Sequence, residues 1–149
     1  MTELDALNEE TSPIPKLPIA AAIVALAGLA DSIYLTVHHL TAEPVPCSII
    51  SGCETVLTSS YAEIGGVPLA AFGALAYFAA FSLALLTIFG SRTMWLAFGV
   101  VSAIMAAFTL WLLYLQAFVI GAFCQFCLLS AITSLTLFAI ALFSRFWRK

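Results

Sequence analysis

Four stretches of twenty or more mostly apolar residues, at roughly 18–40, 67–89, 94–119 and 123–144, take up most of this 149-residue chain. Crossing the hydrocarbon core of a bilayer takes about 20 such residues per helix. The strands of a membrane barrel alternate polar and apolar residues, whereas these runs are apolar on every side. The expected fold is therefore an all-α integral membrane bundle of four transmembrane helices. With 63% hydrophobic and only 9% charged residues, the composition does not suit a water-soluble domain of this size. Little chain remains outside the runs for a separate soluble domain.

The placement of charge says more than the net charge of -3. The five cations are Lys16, Arg92, Arg145, Arg148 and Lys149. They occupy the N-terminal segment, the short turn between runs two and three, and the C-terminal end. The loop 41–66 and the turn 119–123 carry none. With four spans, the excess of Lys and Arg in cytoplasmic segments puts both termini and the second turn inside. Residues 1–17, acidic and containing Pro13 and Pro15, read as a cytoplasmic tail, and 145–149 as a basic one. The first run is too long for the core of a cleaved signal peptide and reads as a retained span.

All four cysteines fall on the opposite side. Cys47 and Cys53 lie in the outer loop, and Cys124 and Cys127 form C-Q-F-C at the start of the last run. An extracytoplasmic compartment permits disulfides, so two thiol pairs beside a bilayer suggest electron transfer through disulfides. C-x-x-C opening a helix puts both sulfurs on one face, where they can pair. Cys124, at the helix end, is expected to have the lower pKa and to be the more reachable thiol. Cys127, one turn deeper, faces the bundle and would meet an acceptor dissolved in lipid, for which a quinone is the obvious chemistry. Cys47 and Cys53 can also pair, and the loop must then carry Cys53 onto Cys124 for exchange. Structural zinc sites space their cysteines two to four apart; the Cys47–Cys53 gap does not fit, and no metal is expected.

Around the thiols, Glu43-Pro44-Val45-Pro46 stiffens the approach to Cys47. After Ser51-Gly52, the segment CETVLTSSYAEI reads as one interfacial helix with Val56, Leu57, Tyr61 and Ile64 on its apolar face. Cys53 would stand at its N-terminus. Gly65-Gly66-Val67-Pro68 turns the chain back into the second span. Asp31 is the one acidic residue inside a span, about nine residues or ~13 Å from its outer end, and is either a packing residue or part of a functional site. His38 and His39 lie near the outer interface, as anchors or proton carriers. The third run carries Trp95, Trp111, Tyr114 and Gln116.

These residues resemble the vitamin K epoxide reductase family, in its bacterial branch. The resemblance covers the core 18–144: GLADSIYL in span one, then C-x5-C followed by ETVLTSSYAEIGGVPLAAFGALAY, then C-x-x-C opening span four. It implies a four-helix bundle holding a quinone, menaquinone or ubiquinone, near the outer surface under a short loop helix. By position, Cys47 resembles the cysteine that exchanges with a thioredoxin-like partner, Cys53 the shuttle that reaches Cys124, and Cys127 the one beside the quinone. Ser59 matches a loop serine associated with that site. The candidate quinone-binding residues are Ser59, Phe72, Tyr77, Phe123, Asp31 and Cys127. Many bacterial members carry a fused thioredoxin-like domain; its absence here implies a separate secreted, DsbA-like thiol partner. Where the animal enzymes carry a tyrosine four residues after the C-x-x-C, this chain has Ala131; where they carry an asparagine three residues before the span-two Phe-Gly, it has Leu69. A bacterial quinone is therefore implied as acceptor rather than vitamin K epoxide. The DsbB quinone-linked disulfide oxidases have four spans too, but carry their C-x-x-C in the first outer loop.

The expected function is thus a thiol:quinone oxidoreductase of the cell membrane that supports disulfide formation in secreted proteins, with lipid and quinone around it and no nucleic acid. The alternatives are a non-enzymatic four-span protein with a structural loop disulfide, and a vitamin K epoxide or quinone reductase that recycles quinone.

Overall fold

Each apolar run folds as a helix, and the breaks fall where the sequence cannot continue one. The computed structural model describes residues 16–47 and 52–147. Most of the acidic tail (1–15, with Pro13 and Pro15), the loop residues 48–51 including Ser51, and Arg148 and Lys149 lie outside the described residues. Helix α1 spans Lys16–Thr41, the short α2 Cys53–Leu57, α3 Leu69–Ile88, α4 Arg92–Tyr114 and α5 Gln125–Trp147. Pro18 sits in the first turn of α1, where its missing N–H has no helical partner to lose. The α4 helix runs on through a wider π turn, Leu115–Ile120, in which the Gly121 N–H reaches back five residues to the Gln116 carbonyl at 3.0 Å. Four of the helices are long and apolar enough to cross a membrane. They present large apolar side chains outward, such as Leu75 (69% exposed) and Phe118 (77%), which a bilayer covers and water would not tolerate.

The helices pack in the cyclic order α1, α3, α4, α5 and back to α1. Cross-contacts fix their directions. Gly28 meets Tyr77 while Ser32 meets Gly73, so α1 and α3 are antiparallel. Trp95 near the start of α4 donates to Ser144 near the end of α5 at 2.8 Å. Tyr34 in the last half of α1 packs on Phe126 at the start of α5, ring centroids 5.3 Å apart. Lys16, Arg92 and Arg145 therefore share one end of the bundle, and the four cysteines share the other.

Small residues make the α1–α3 seam close. Ala21, Ala22, Ala25 and Gly28 of α1 face Ala80, Ala84 and Tyr77 of α3, as helices associate in lipid through close backbone approach. A side chain on Gly28 would overlap the Tyr77 ring. The Tyr77 hydroxyl passes the seam to reach α5, meeting the Ser130 carbonyl at 2.7 Å and the Thr133 hydroxyl at 2.7 Å.

The loop between α1 and α3 departs from the single interfacial helix expected for CETVLTSSYAEI. Only Cys53–Leu57 is α-helical; a 3-10 turn, Ser60–Ala62, and a two-stranded hairpin, Glu63–Ile64 with Val67–Pro68, follow. The reason is the run Thr58-Ser59-Ser60. The Thr58 hydroxyl donates to the Glu54 carbonyl (2.6 Å) and that of Ser59 to the Val56 carbonyl (2.7 Å), closing the helix end with side chains. Gly65 and Gly66, at φ +60° and +83°, then form the two-residue hairpin turn that needs positive φ at both positions.

Candidate active site

The loop brings Cys53 onto the start of α5. Cys47 and Cys53 are disulfide-bonded, their Cα atoms 6.2 Å apart. Cys53 opens α2 and is buried in one small cluster with Val56 and Cys124. Gly52 makes this contact possible. A Cβ there would meet the carbonyl oxygen of Phe123, and its nitrogen at 3.0 Å. Backbone therefore lies on backbone, and the loop comes down directly beside the C-x-x-C segment.

Cys124 and Cys127 are free thiols. Cys124 acts as the cap of α5: its carbonyl accepts the Leu128 N–H at 2.9 Å. Its sulfur accepts hydrogen bonds from the Cys127 thiol and from the backbone N–H groups of Cys127 and Phe126. The Cys127 hydrogen bond is the largest influence, and with the backbone donors it outweighs burial, lowering the Cys124 thiol to about 7. The Cys124 N–H donates in turn to the Gln116 side-chain oxygen at 3.3 Å. Gln116 is buried within the π turn of α4. Such widened turns recur at functional sites, and this one turns an amide toward the C-x-x-C. Sequence reading noted Gln116 without a role; a lone amide in an apolar run was the available signal.

Exposure corrects one expectation. Cys124 is fully buried and Cys127 only partly so, the reverse of the reachable outer thiol and enclosed inner thiol read from the sequence. The loop covers Cys124, while Cys127 opens on a cavity of about 130 Å³. That volume is close to the ~150 Å³ of an engineered apolar cavity that takes up benzene, so it accepts one ring-sized group. Its wall includes Leu35, Ser59, Leu69, Gln116, Cys127 and Ala131, mostly hydrocarbon with a few polar groups. Such a lining suits an apolar ring bearing carbonyl oxygens. His39, also on the wall, pairs with Glu63 at 2.6 Å and ties the hairpin to α1 over the cavity. His38 instead packs against Tyr34, ring centroids 4.3 Å apart.

Of the candidate quinone-binding residues, Ser59 and Cys127 line this cavity and the other four do not. Phe72 projects outward, 44% exposed. Tyr77 is held in the α1–α3 seam by its hydroxyl contacts. Phe123 meets Gly52 through its backbone. Asp31 is buried, with one carboxylate oxygen that has no hydrogen-bond partner among the described residues. Asp31 lies one turn before the lining Leu35 and Tyr77 about two turns after the lining Ala70, so both sit deeper in the bundle than the wall residues of their own helices, while Phe123 precedes α5. Residues missed by the sequence reading as cavity walls are Leu35, Thr109, Leu112 and Gln116. Among the described residues, no group of three or more His, Cys, Asp or Glu side chains is placed to hold a metal ion.

A four-helix membrane bundle with a loop disulfide seated on a helix-opening C-x-x-C sets two cysteine pairs side by side at one end of the bundle. The vitamin K epoxide reductase family model matches residues 19–142, and the chain belongs to that family. It is similar to the thiol-disulfide oxidoreductase LTO1 of Arabidopsis thaliana, 32% identical over 120 residues. That match covers 74% of this chain and 32% of the plant protein, so the chain spans about a third of the curated relative it matches.

Proposed function

We propose that this protein is a thiol:quinone oxidoreductase that takes electrons from a thioredoxin-like dithiol protein and delivers them to a membrane quinone. The observation that carries the reading is the order of the sulfurs. Cys47 and Cys53 are already paired, Cys124 lies under Cys53, and Cys127 alone of the four lines the cavity.

In the first step a donor thiolate attacks Cys47, breaking the Cys47–Cys53 bond and expelling the Cys53 thiolate. The second donor thiol resolves the mixed disulfide and the donor leaves oxidised. Cys53 then attacks Cys124 of a Cys124–Cys127 disulfide and releases Cys127. Attack of Cys47 on Cys53 re-forms the loop disulfide and frees Cys124, which restores the pairing seen in the structure. A quinone bound in the cavity supplies a two-electron, two-proton acceptor. Cys124 and Cys127 give up two electrons and two protons as their disulfide forms. The lowered pKa of Cys124 makes it the readier leaving thiolate when Cys47 attacks Cys53. On the cavity wall the Gln116 side-chain NH2 group can donate to a quinone oxygen, and the Ser59 hydroxyl would do so by giving up its bond to the Val56 carbonyl.

Hydrocarbon at Leu69 and Ala131, both on the cavity wall, favours menaquinone or ubiquinone over a substrate that needs polar contacts there. The cations gathered at the opposite end support an extracytoplasmic location for the cysteines, where a donor would serve disulfide formation in secreted proteins. Purified protein supplied with dithiothreitol and a short-chain quinone should generate quinol. Cys127→Ala should abolish it while leaving thermal unfolding in detergent close to wild type. Sustained turnover in that variant would refute the relay.

A further inference from the structure

At the end opposite the cysteines, α4 and α5 leave a groove of about 590 Å³ between them. Arg92 and Arg145 stand at its mouth, and Leu96, Gly99, Val100 and Phe138 continue it inward. We propose that this groove is a binding site for one anionic phospholipid, its phosphate held by the two arginines and an acyl chain laid along the helices.

Three observations carry the assignment. The first is charge. Neither arginine has an ion pair among the described residues, and no Asp or Glu lines the groove. Two guanidinium forks offer the planar, bidentate geometry that suits phosphate oxygens. The second is length. From Arg92 to Ala103, the innermost α4 residue of the lining, the helix rises about 16 Å at 1.5 Å per residue. That is close to half of the ~30 Å hydrocarbon core, the depth of a single leaflet, which a free phosphate would leave empty. The third is Gly99. A Cβ there would meet nothing within 4 Å, so no protein atom requires glycine at this point. Its effect is to widen the groove midway along the acyl path, although glycine weakens a helix. The groove lies at the far end of the bundle from the thiols, so the inference stands independently of the electron relay.

The test uses the full chain, purified in a neutral detergent and titrated with phosphatidylglycerol, phosphatidylcholine or inorganic phosphate. Bound lipid is read by native mass spectrometry and by the shift in unfolding temperature. A basic residue near an anionic headgroup contributes roughly fivefold in affinity, so phosphatidylglycerol should bind roughly 25-fold more tightly than phosphatidylcholine. R92Q/R145Q should remove that preference, and R92K/R145K, which keeps the charge without the fork, should keep part of it and serve as the folding control. G99L, which fills the groove and leaves both arginines in place, should weaken phosphatidylglycerol binding at least as much. Equal binding of the two lipids would overturn the proposal. So would displacement of phosphatidylglycerol by equimolar phosphate, which would mark a free-anion site. Wild-type binding by G99L would show that no chain occupies the groove and would refute the assignment.

Discussion

Gly52→Ala tests the seating of the loop on the C-x-x-C segment with one methyl group. Gly52 sits at φ −93°, ψ 2°, a conformation open to any residue, so alanine adds no backbone strain. It adds only a Cβ pressed against the Phe123 backbone, with the nitrogen at 3.0 Å and the carbonyl carbon at 3.2 Å. The carbonyl oxygen is closer still. Restoring an ordinary carbon–oxygen contact of about 3.3–3.6 Å requires the loop to withdraw by roughly 1 Å, because neither partner is a side chain that can rotate away. A misplacement of ~1 Å between reacting groups costs on the order of 100-fold in rate, or about 2.7 kcal/mol. The assay is disulfide formation in a Cys47→Ala, Cys127→Ala background, where Cys53 and Cys124 are the only thiols. Under a fixed glutathione buffer, quenched samples are alkylated and resolved on a non-reducing gel. Gly52→Ala should slow closure of the Cys53–Cys124 bond by about that factor. Gly99→Ala, whose Cβ meets nothing, should not. Closure within twofold of the parent rate in the Gly52 variant would refute the argument that this glycine sets the approach.

Three further outcomes follow from the same contacts. Cys124 should ionise near 7, so its thiolate absorbance should rise through that pH; Cys127→Ala removes the leading cause and should move the midpoint up toward the ordinary value of 9.0. Because the folded value is the lower one, the associated stability is full above the ordinary value and lost as pH falls through about 7; a Cys127→Ala midpoint unchanged from wild type would count against the hydrogen bond. Gln116→Leu leaves the Cys124 N–H unsatisfied in a buried site, which should cost about 1–3 kcal/mol in detergent unfolding and slow quinone turnover. Gly28→Ala drives a methyl group into the Tyr77 ring and should destabilise by about 1–3 kcal/mol; Tyr77→Leu in the same chain should recover part of that loss, since it removes the obstructing ring.

The four spans and the two thiol pairs were legible in the sequence because both depend on local properties. An apolar run of twenty residues must satisfy its own backbone hydrogen bonds in lipid, so α1, α3, α4 and α5 follow from composition, and Gly90-Ser91 and Gly65-Gly66 mark turns. Cys124 and Cys127 are three residues apart, and that spacing alone puts them on one helical face. The loop was less legible. Apolar spacing through CETVLTSSYAEI suggested one helix, whereas the hydroxyls of Thr58 and Ser59 close it after Leu57.

Contacts between distant segments had no local signature. Gly52 reads as a loop glycine until Phe123, 71 positions later, is laid against it. Gln116 reads as a stray amide until the π turn points it at Cys124. Phe72, Tyr77, Phe123 and Asp31 fell within the right segments, but the cavity wall is made by Leu35, Leu69, Gln116 and Ala131, because spacing along a helix does not say how deep a cavity reaches. Composition and spacing determined that this chain is a four-helix membrane bundle with two thiol pairs at one end. Only the tertiary structure decided which thiol is covered and which faces the cavity, because burial depends on what packs over a side chain rather than on its depth along the helix.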